Sequence, residues 1–225
     1  MITNPDHPTA GIHPPAIKNH WEQVYSKKKP DAVSWYQLHP EYSLAMVEAT
    51  GAGIEAGIID VGGGASTLVD HLLAAGYRHL TVLDISHTAI ARARERLGEQ
   101  ANRISWLEYN VTDYIPKQGF EIWHDRAVFH FLTSAEERAR YLAVLNKALK
   151  PGGHAILATF AEDGPDKCSG LEVVRYSPES LNRAVGHGLR LIETCSELHH
   201  TPRGGIQQFV YCRFIRTDND PATVT

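Results

Sequence analysis

Residues 57–76, GIIDVGGGASTLVDHLLAAG, run from an apolar stretch ending in an acid, through three consecutive glycines, into a helical pattern. Glycine inside a regular element costs roughly 0.5–1 kcal/mol relative to alanine. Three together mark a local need: a tight turn, or a ligand pressed against bare backbone. Strand and helix patterns then alternate. HLTVLDI (79–85) reads as a strand and SHTAIARARERLG (86–98) as a helix, with Ser86 at its N-cap and Gly98 as its stop. ISWLEYN (104–110) and FEIWHD (120–125) are strands, 134–153 is a long amphipathic helix ending in Pro-Gly-Gly, and HAILATF (154–160) is a strand. A helix over 177–186 follows, with Ser177 as N-cap and Pro178 in its first turn. Strands 189–198 and 206–216 lie close enough for a hairpin. Such alternation predicts an α/β fold: a doubly wound, seven-stranded, mostly parallel sheet with a C-terminal antiparallel hairpin.

Upstream, 19–28 reads as a short helix with Asn19 as N-cap, and 41–50 as another after Pro40. The first fifteen residues read as an arm. The whole chain, 1–225, reads as a single domain, with 1–54 a cap or lid over the ligand edge and 217–225 a tail. At 225 residues and 43% hydrophobic, the chain has material for one substantial core.

The formal net charge is −4, and Lys27–Lys28–Lys29 is the one basic triplet, which argues against a nucleic-acid partner. MITNPDHPTAGIHPP lacks the apolar region of a secretory signal, and no run is long enough to span a bilayer. Cys168, Cys195 and Cys212 are odd in number and widely spaced, which points to a reducing cytoplasm rather than a disulfide framework. The thirteen histidines form no metal-ligand pattern. Oligomeric state has no signal here.

The glycine turn gains meaning from the next strand. Its tip is Asp84, an acid placed to accept both hydroxyls of a ribose at the switch point of the sheet. A helix-cap neighbour beside Ser86 is the plainer role. A dinucleotide fingerprint would follow Gly62 and Gly64 with a third glycine, but Thr67 stands there. Asp60, two residues before Gly62, would repel a pyrophosphate and suits a ligand carrying an ammonium group. Asp125, Arg126 and His130 are polar groups in apolar sequence after the fourth strand. Alternation puts Trp123 and Asp125 on one face, and Phe120, Ile122 and His124 on the other. A structural Asp125–Arg126 pair competes with a ligand contact at Asp125 and a base at His130. The loop 163–176, with Cys168, and the hairpin turn 199–209, with His200 and Gln207, could face the same crevice or be plain connections.

IIDVGGGAS, LTVLDIS, ISWLEYNVTD, FEIWHDRAVFHFL and ALKPGGHAILATF resemble the successive motifs of class I S-adenosylmethionine-dependent methyltransferases across roughly 55–160. The stretch HWEQVYSKKKPDAVSWYQ is similar to the start of a subgroup that includes lysine methyltransferases. The resemblance implies S-adenosyl-L-methionine as cofactor. It implies that Asp60, Gly62, Gly63 and Gly64 hold the methionine part, Asp84 the ribose and Ile85 the adenine. The family's acid and hydrophobic residue after strand three become Asn110 and Val111, with Asp113 also in reach of the adenine. It gives Asp125 a cofactor or acceptor contact and His130 the place of a base. Trp35 and Tyr36, with Trp21 and Tyr25, would be either core of an N-terminal cap or an aromatic lid over the sulfonium. The acceptor is expected to be a small molecule, or alternatively a protein lysine. WHDR stands where many amino-group methyltransferases carry N/D-P-P-Y/F. A nicotinamide oxidoreductase and a non-catalytic nucleoside-binding protein are the rivals.

Overall fold

The computed structural model describes residues 14–217. Five strands, β1 (Gly57–Val61), β2 (His79–Asp84), β3 (Ile104–Glu108), β4 (Phe120–Arg126) and β5 (Leu149–Phe160), pair in parallel. A ribbon of β6 (Lys167–Cys168) and β7 (Leu171–Glu172) stands apart. The long hairpin β8 (Leu189–His200) and β9 (Ile206–Arg216) then completes the sheet in the order β3-β2-β1-β4-β5-β9-β8, with β9 antiparallel to β5. This is the expected seven-stranded α/β sheet with its C-terminal hairpin. The order reverses between β1 and β4, so the crevice at their C-terminal ends is the switch point.

Two helices, α2 (Glu41–Glu48) and α3 (Leu68–Ala74), bury Met46, Val47, Leu68 and Leu72 against Ile58, Ile122 and Ile156 on one face. On the other face, α5 (Ala135–Ala148) and α6 (Pro178–Val185) bury Tyr141, Leu145 and Leu181 against Ile59, Trp123 and Leu157. Helix α4 (His87–Leu97) starts at Ser86, whose Oγ accepts from Ala89 N at 3.2 Å, and stops at Gly98 with φ of 56°. Both α5 and α6 open on capping boxes, from Ser134 and Ser177.

Three expectations shift. Helix α1 runs Pro14–Lys27, so Asn19 is interior to it rather than its N-cap. Prolines at the start of a helix lose no intrahelical bond there. Residues 1–13, most of the expected arm, and 218–225, nearly all of the expected tail, lie outside the described residues. Next, α5 ends at Ala148, and the Pro-Gly-Gly falls within β5. It is absorbed by an irregularity in which Leu149 pairs with Phe120 but His154 with Ile122. A Cβ on Gly153 would sit 2.8 Å from Lys150 O, so the bulge requires glycine there. The same irregularity moves Phe120 into the α5-side core with Trp123, whereas simple alternation placed it with Ile122. Among the described residues, no helix is long and apolar enough to cross a membrane.

Candidate functional site

Strands β1 and β4 lie side by side with Asp60 opposite His124 and Val61 opposite Asp125. Their tips, the glycine turn and residues 33–40 of the N-terminal segment enclose a narrow cleft. Asp60, Gly62, Gly63, Trp35, Tyr36 and Arg126 are among its walls.

The turn answers the first need its glycines announced, and the close approach of side chains adds to it. Gly62 has φ of 69°, a left-handed conformation, and a Cβ there would collide with Val128. A Cβ on Gly63 would collide with the Asp60 carboxylate, and one on Gly64 would come within 2.5 Å of Asp84 Oδ2. The backbone is bare where the two acids stand. Asp60 is 4% exposed, and its Oδ1 lies 2.7 Å from His124 Nδ1. Its Oδ2 is buried with no hydrogen-bond partner in the protein. Asp84 is 5% exposed and its Oδ1 accepts from Ser86 N at 2.7 Å. Burial pushes its carboxyl up to about 7. The N–H groups of Ser86 and Gly64 oppose that rise, and the Asp60 charge adds to it.

The N-terminal segment covers this edge. Tyr25 is buried against Ala65 and Ala89, and burial with the nearby Asp84 charge pushes its phenol up. Glu22 accepts from His87 N at 2.6 Å and Thr88 N at 3.1 Å, at the start of α4. Trp35 meets Trp21 and Tyr25 edge to face, at 5.7 and 6.2 Å. Carbonyls along the segment are then bonded one after another. His199 Nε2 donates to Ser34 O (2.7 Å), Arg126 to Trp35 O (3.1 Å), Thr67 Oγ1 to Gln37 O (2.8 Å) and His71 Nε2 to Leu38 O (3.1 Å). The Gln37 amide reaches Glu197 at 2.6 Å. Glu197 in turn takes the Tyr211 hydroxyl at 2.9 Å and pairs with Arg126 at 3.4 Å, while Tyr211 accepts from Arg126 Nε.

The other expected residues are placed apart from the cleft. Asp125 is fully buried on the α5 face. It accepts from Tyr141 OH (2.6 Å), Val128 N (2.8 Å) and Phe129 N (3.1 Å). Burial pushes its carboxyl up to about 6 against those donors. His130 is fully buried between Phe131 and Phe160, and its Nδ1 accepts from Phe160 N at 3.3 Å. Burial, with the Arg126 charge second, pushes its imidazole down to about 3, so the ring is neutral at pH 7. Ile85 is half-buried just past β2. Asn110 caps the turn Val111–Asp113 by accepting from Thr112 N at 3.2 Å, and Val111 is buried beneath it. At the hairpin, His199 rather than His200 faces inward, beside Gln207, because strand alternation turns His200 to solvent. Cys168 is buried, which pushes its thiol up to about 11 and leaves it unreactive.

Residues 59–155 match the family described as a methyltransferase domain. The chain is 28% identical over 149 residues, 64% of its length, to an eEF1A lysine and N-terminal methyltransferase of Danio rerio, and covers 21% of that protein. It thus spans about a fifth of the length of that relative. In structure it is similar to the N-methyltransferase NodS of Bradyrhizobium japonicum in complex with S-adenosyl-L-homocysteine. There the TM-score is 0.66 at 17% identity, over 87% of this chain and 97% of that one. It is also similar to the 1,6-didemethyltoxoflavin-N1-methyltransferase of Burkholderia thailandensis, with a TM-score of 0.68 at 18% identity over 95% and 94% of the two chains. At such identities the structural likeness is one of fold.

Proposed function

We propose that this chain, whose residues 59–155 match a methyltransferase domain, is a class I enzyme that moves a methyl group from S-adenosyl-L-methionine to an acceptor. The cofactor supplies an electrophilic sulfonium methyl, which an acceptor lone pair takes up. The observation that carries the reading is the buried Oδ2 of Asp60, unpartnered beside a turn whose glycines leave the acid bare. A buried anionic oxygen without a partner is costly, and an ammonium group meets that need where a pyrophosphate would worsen it. Arg126, in the same cleft, suits the carboxylate at the other end of an amino-acid tail. Asp84 takes the ribose hydroxyls, and Gly62, Gly63 and Gly64 admit the ligand against backbone. Ile85, just past β2, and Asn110 and Val111, just past β3, would take the adenine beyond the narrow cleft. Trp35 and Tyr36 lay aromatic faces toward the cation, which they attract, and exclude water from it. Residues 14–54 act as the cover of a single domain.

The acceptor we favour is a small molecule, since among the described residues the cleft is narrow and Arg126 is the one Lys or Arg that lines it. The second reading, a protein lysine, is favoured by the 28% identity to a lysine and N-terminal methyltransferase. The three free cysteines suit a cytoplasmic protein. Calorimetry with S-adenosylhomocysteine against NAD tests the cofactor, and tight binding of NAD alone reverses the assignment. Incubation with methyl-labelled cofactor and cell extract tests the acceptor, since the label settles in either a small or a macromolecular fraction.

A further inference from the structure

We propose that Ser43 and His124 are a positioning pair for Asp60, and that this pair gives the cleft its preference for a ligand bearing an ammonium group. The inference rests on the cofactor reading above.

The argument begins with register. Asp60 and His124 are direct neighbours on parallel strands, so their side chains leave the sheet on one face, toward α2 and α3. There the imidazole bridges two elements. Nδ1 lies 2.7 Å from Asp60 Oδ1, and Nε2 lies 2.9 Å from the Ser43 hydroxyl on α2. All three residues are nearly inaccessible, at 4%, 2% and 1% exposed for Asp60, His124 and Ser43. A carboxylate only accepts, so Nδ1 carries the hydrogen on that side, and in the neutral ring Nε2 accepts the hydrogen of Ser43. The ring is therefore fixed at both ends, and one oxygen of Asp60 is fixed by the ring.

What this does for the cleft follows from the other oxygen. With Oδ1 anchored, the carboxylate plane cannot turn, and Oδ2 is held beside Gly63 without a partner of its own. An acid free to rotate could satisfy itself on nearby backbone and offer a ligand little. Held in place, it offers a desolvated anionic oxygen at a fixed point, and preorganisation of that kind makes a buried acceptor selective for a cationic donor. The sequence hydroxyl–imidazole–carboxylate is also that of an activated nucleophile. Here Ser43 borders the cleft but is 1% exposed, and its hydroxyl is committed to the ring, so orientation is what the arrangement delivers. Neither Ser43 nor His124 need touch the reacting atoms.

Two ligands separate this role from a structural one. S-Adenosylhomocysteine carries the amino-acid tail, and 5′-methylthioadenosine is a related nucleoside thioether without it. Calorimetry on the full chain should show wild type preferring the former. His124→Phe should weaken S-adenosylhomocysteine roughly tenfold or more and leave 5′-methylthioadenosine nearly unchanged. His124→Asn, whose amide N–H can meet Asp60 Oδ1, should keep most of the wild-type preference. Ser43→Ala should reduce the preference by a smaller factor. If His124→Phe shows no cooperative unfolding transition, Ser43→Ala and His124→Asn decide. Supporting the pair requires selective loss in the first and retention in the second. Variants that weaken both ligands equally, or neither, overturn the pair and leave the cofactor reading standing. A folded wild type that binds neither ligand overturns both.

Discussion

The tips of β1 and β4 carry two acids, Asp60 and Asp125, one residue apart in register and on opposite faces of the sheet. Asp125 is finished. Its oxygens take a tyrosine hydroxyl and two backbone N–H groups, so it closes the turn after β4 and ties α5 to the sheet. Asp60 is half-finished, with one oxygen bound to His124 and the other empty-handed. Asp84, across the glycine turn from Asp60, resembles it in being buried beneath a cover rather than packed into a core. Burial alone does not distinguish an acid that builds the fold from one that waits for a ligand. The number of donors the protein itself supplies does.

The sharpest way to break this comparison is to remove the finished acid. Asp125→Ala strands three donors, and at about 1–3 kcal/mol for each buried unsatisfied group it should cost roughly 3 kcal/mol of stability or more. The affinity of the remaining folded protein for S-adenosylhomocysteine should be unchanged. A selective loss of affinity would make Asp125 a ligand contact after all. Asp84→Ala should behave in the opposite way. Its contribution of roughly 1.5–3 kcal/mol per hydrogen bond to an ionised acceptor predicts at least tenfold weaker binding, with the unfolding transition retained. Unchanged affinity would put the ribose elsewhere. For His130→Ala, a buried neutral ring gives way to a cavity, so about 2 kcal/mol of stability should go while turnover per folded molecule holds. A fall in turnover of roughly 10²–10⁴ with cofactor affinity intact would make His130 the base.

Smaller effects refine the picture at Asp84. Its folded pKa is raised, to about 7, above the ordinary carboxylate range. Its contribution to the stability of the free protein is therefore fully present below the ordinary carboxylate pKa and is lost as pH rises through about 7. Binding ribose hydroxyls calls for the ionised form, so binding releases a proton at pH 6. Affinity for S-adenosylhomocysteine should then tighten about tenfold between pH 6 and pH 8, and Asp84→Asn should flatten the profile. A flat wild-type profile would mean that Asp84 keeps its proton in the complex. Last, tryptic cleavage at Lys27 and Lys28 should slow at saturating S-adenosylhomocysteine. Equal cleavage with and without ligand would make the N-terminal segment a static cap.

Much of the sheet was legible in the sequence because buried parallel strands are written as short apolar runs and their helices as capped periodic ones. The β9 span, 206–216, is legible residue for residue. What escaped reading has a physical pattern. The bulge that turns Phe120 around depends on how 149–154 crosses Glu121, which no local periodicity records. The latch joins Arg126 to Glu197 and Tyr211, 71 and 85 positions away, and His199 to Ser34, 165 positions away, each ordinary in its own window. Alternation did place His124 on the face opposite Asp125. The register that sets it beside Asp60 begins one residue further into β4, with Ile58 opposite Ile122, and no local pattern records that offset. The donors around Asp125 escaped reading for the converse reason: alternation assigns a face but does not say which face opens on the crevice.

Tyr25 lying over Asp84 has a consequence in time rather than in structure. On the proposed assignment of Asp84 to the ribose, the cofactor reaches that carboxylate only when α1 lifts, and the nucleoside product leaves the same way. The rate of association with S-adenosylhomocysteine should therefore climb with concentration and then level off at the rate of lifting, and the cover thus sets a ceiling on how often the site can be used, however fast the methyl itself moves.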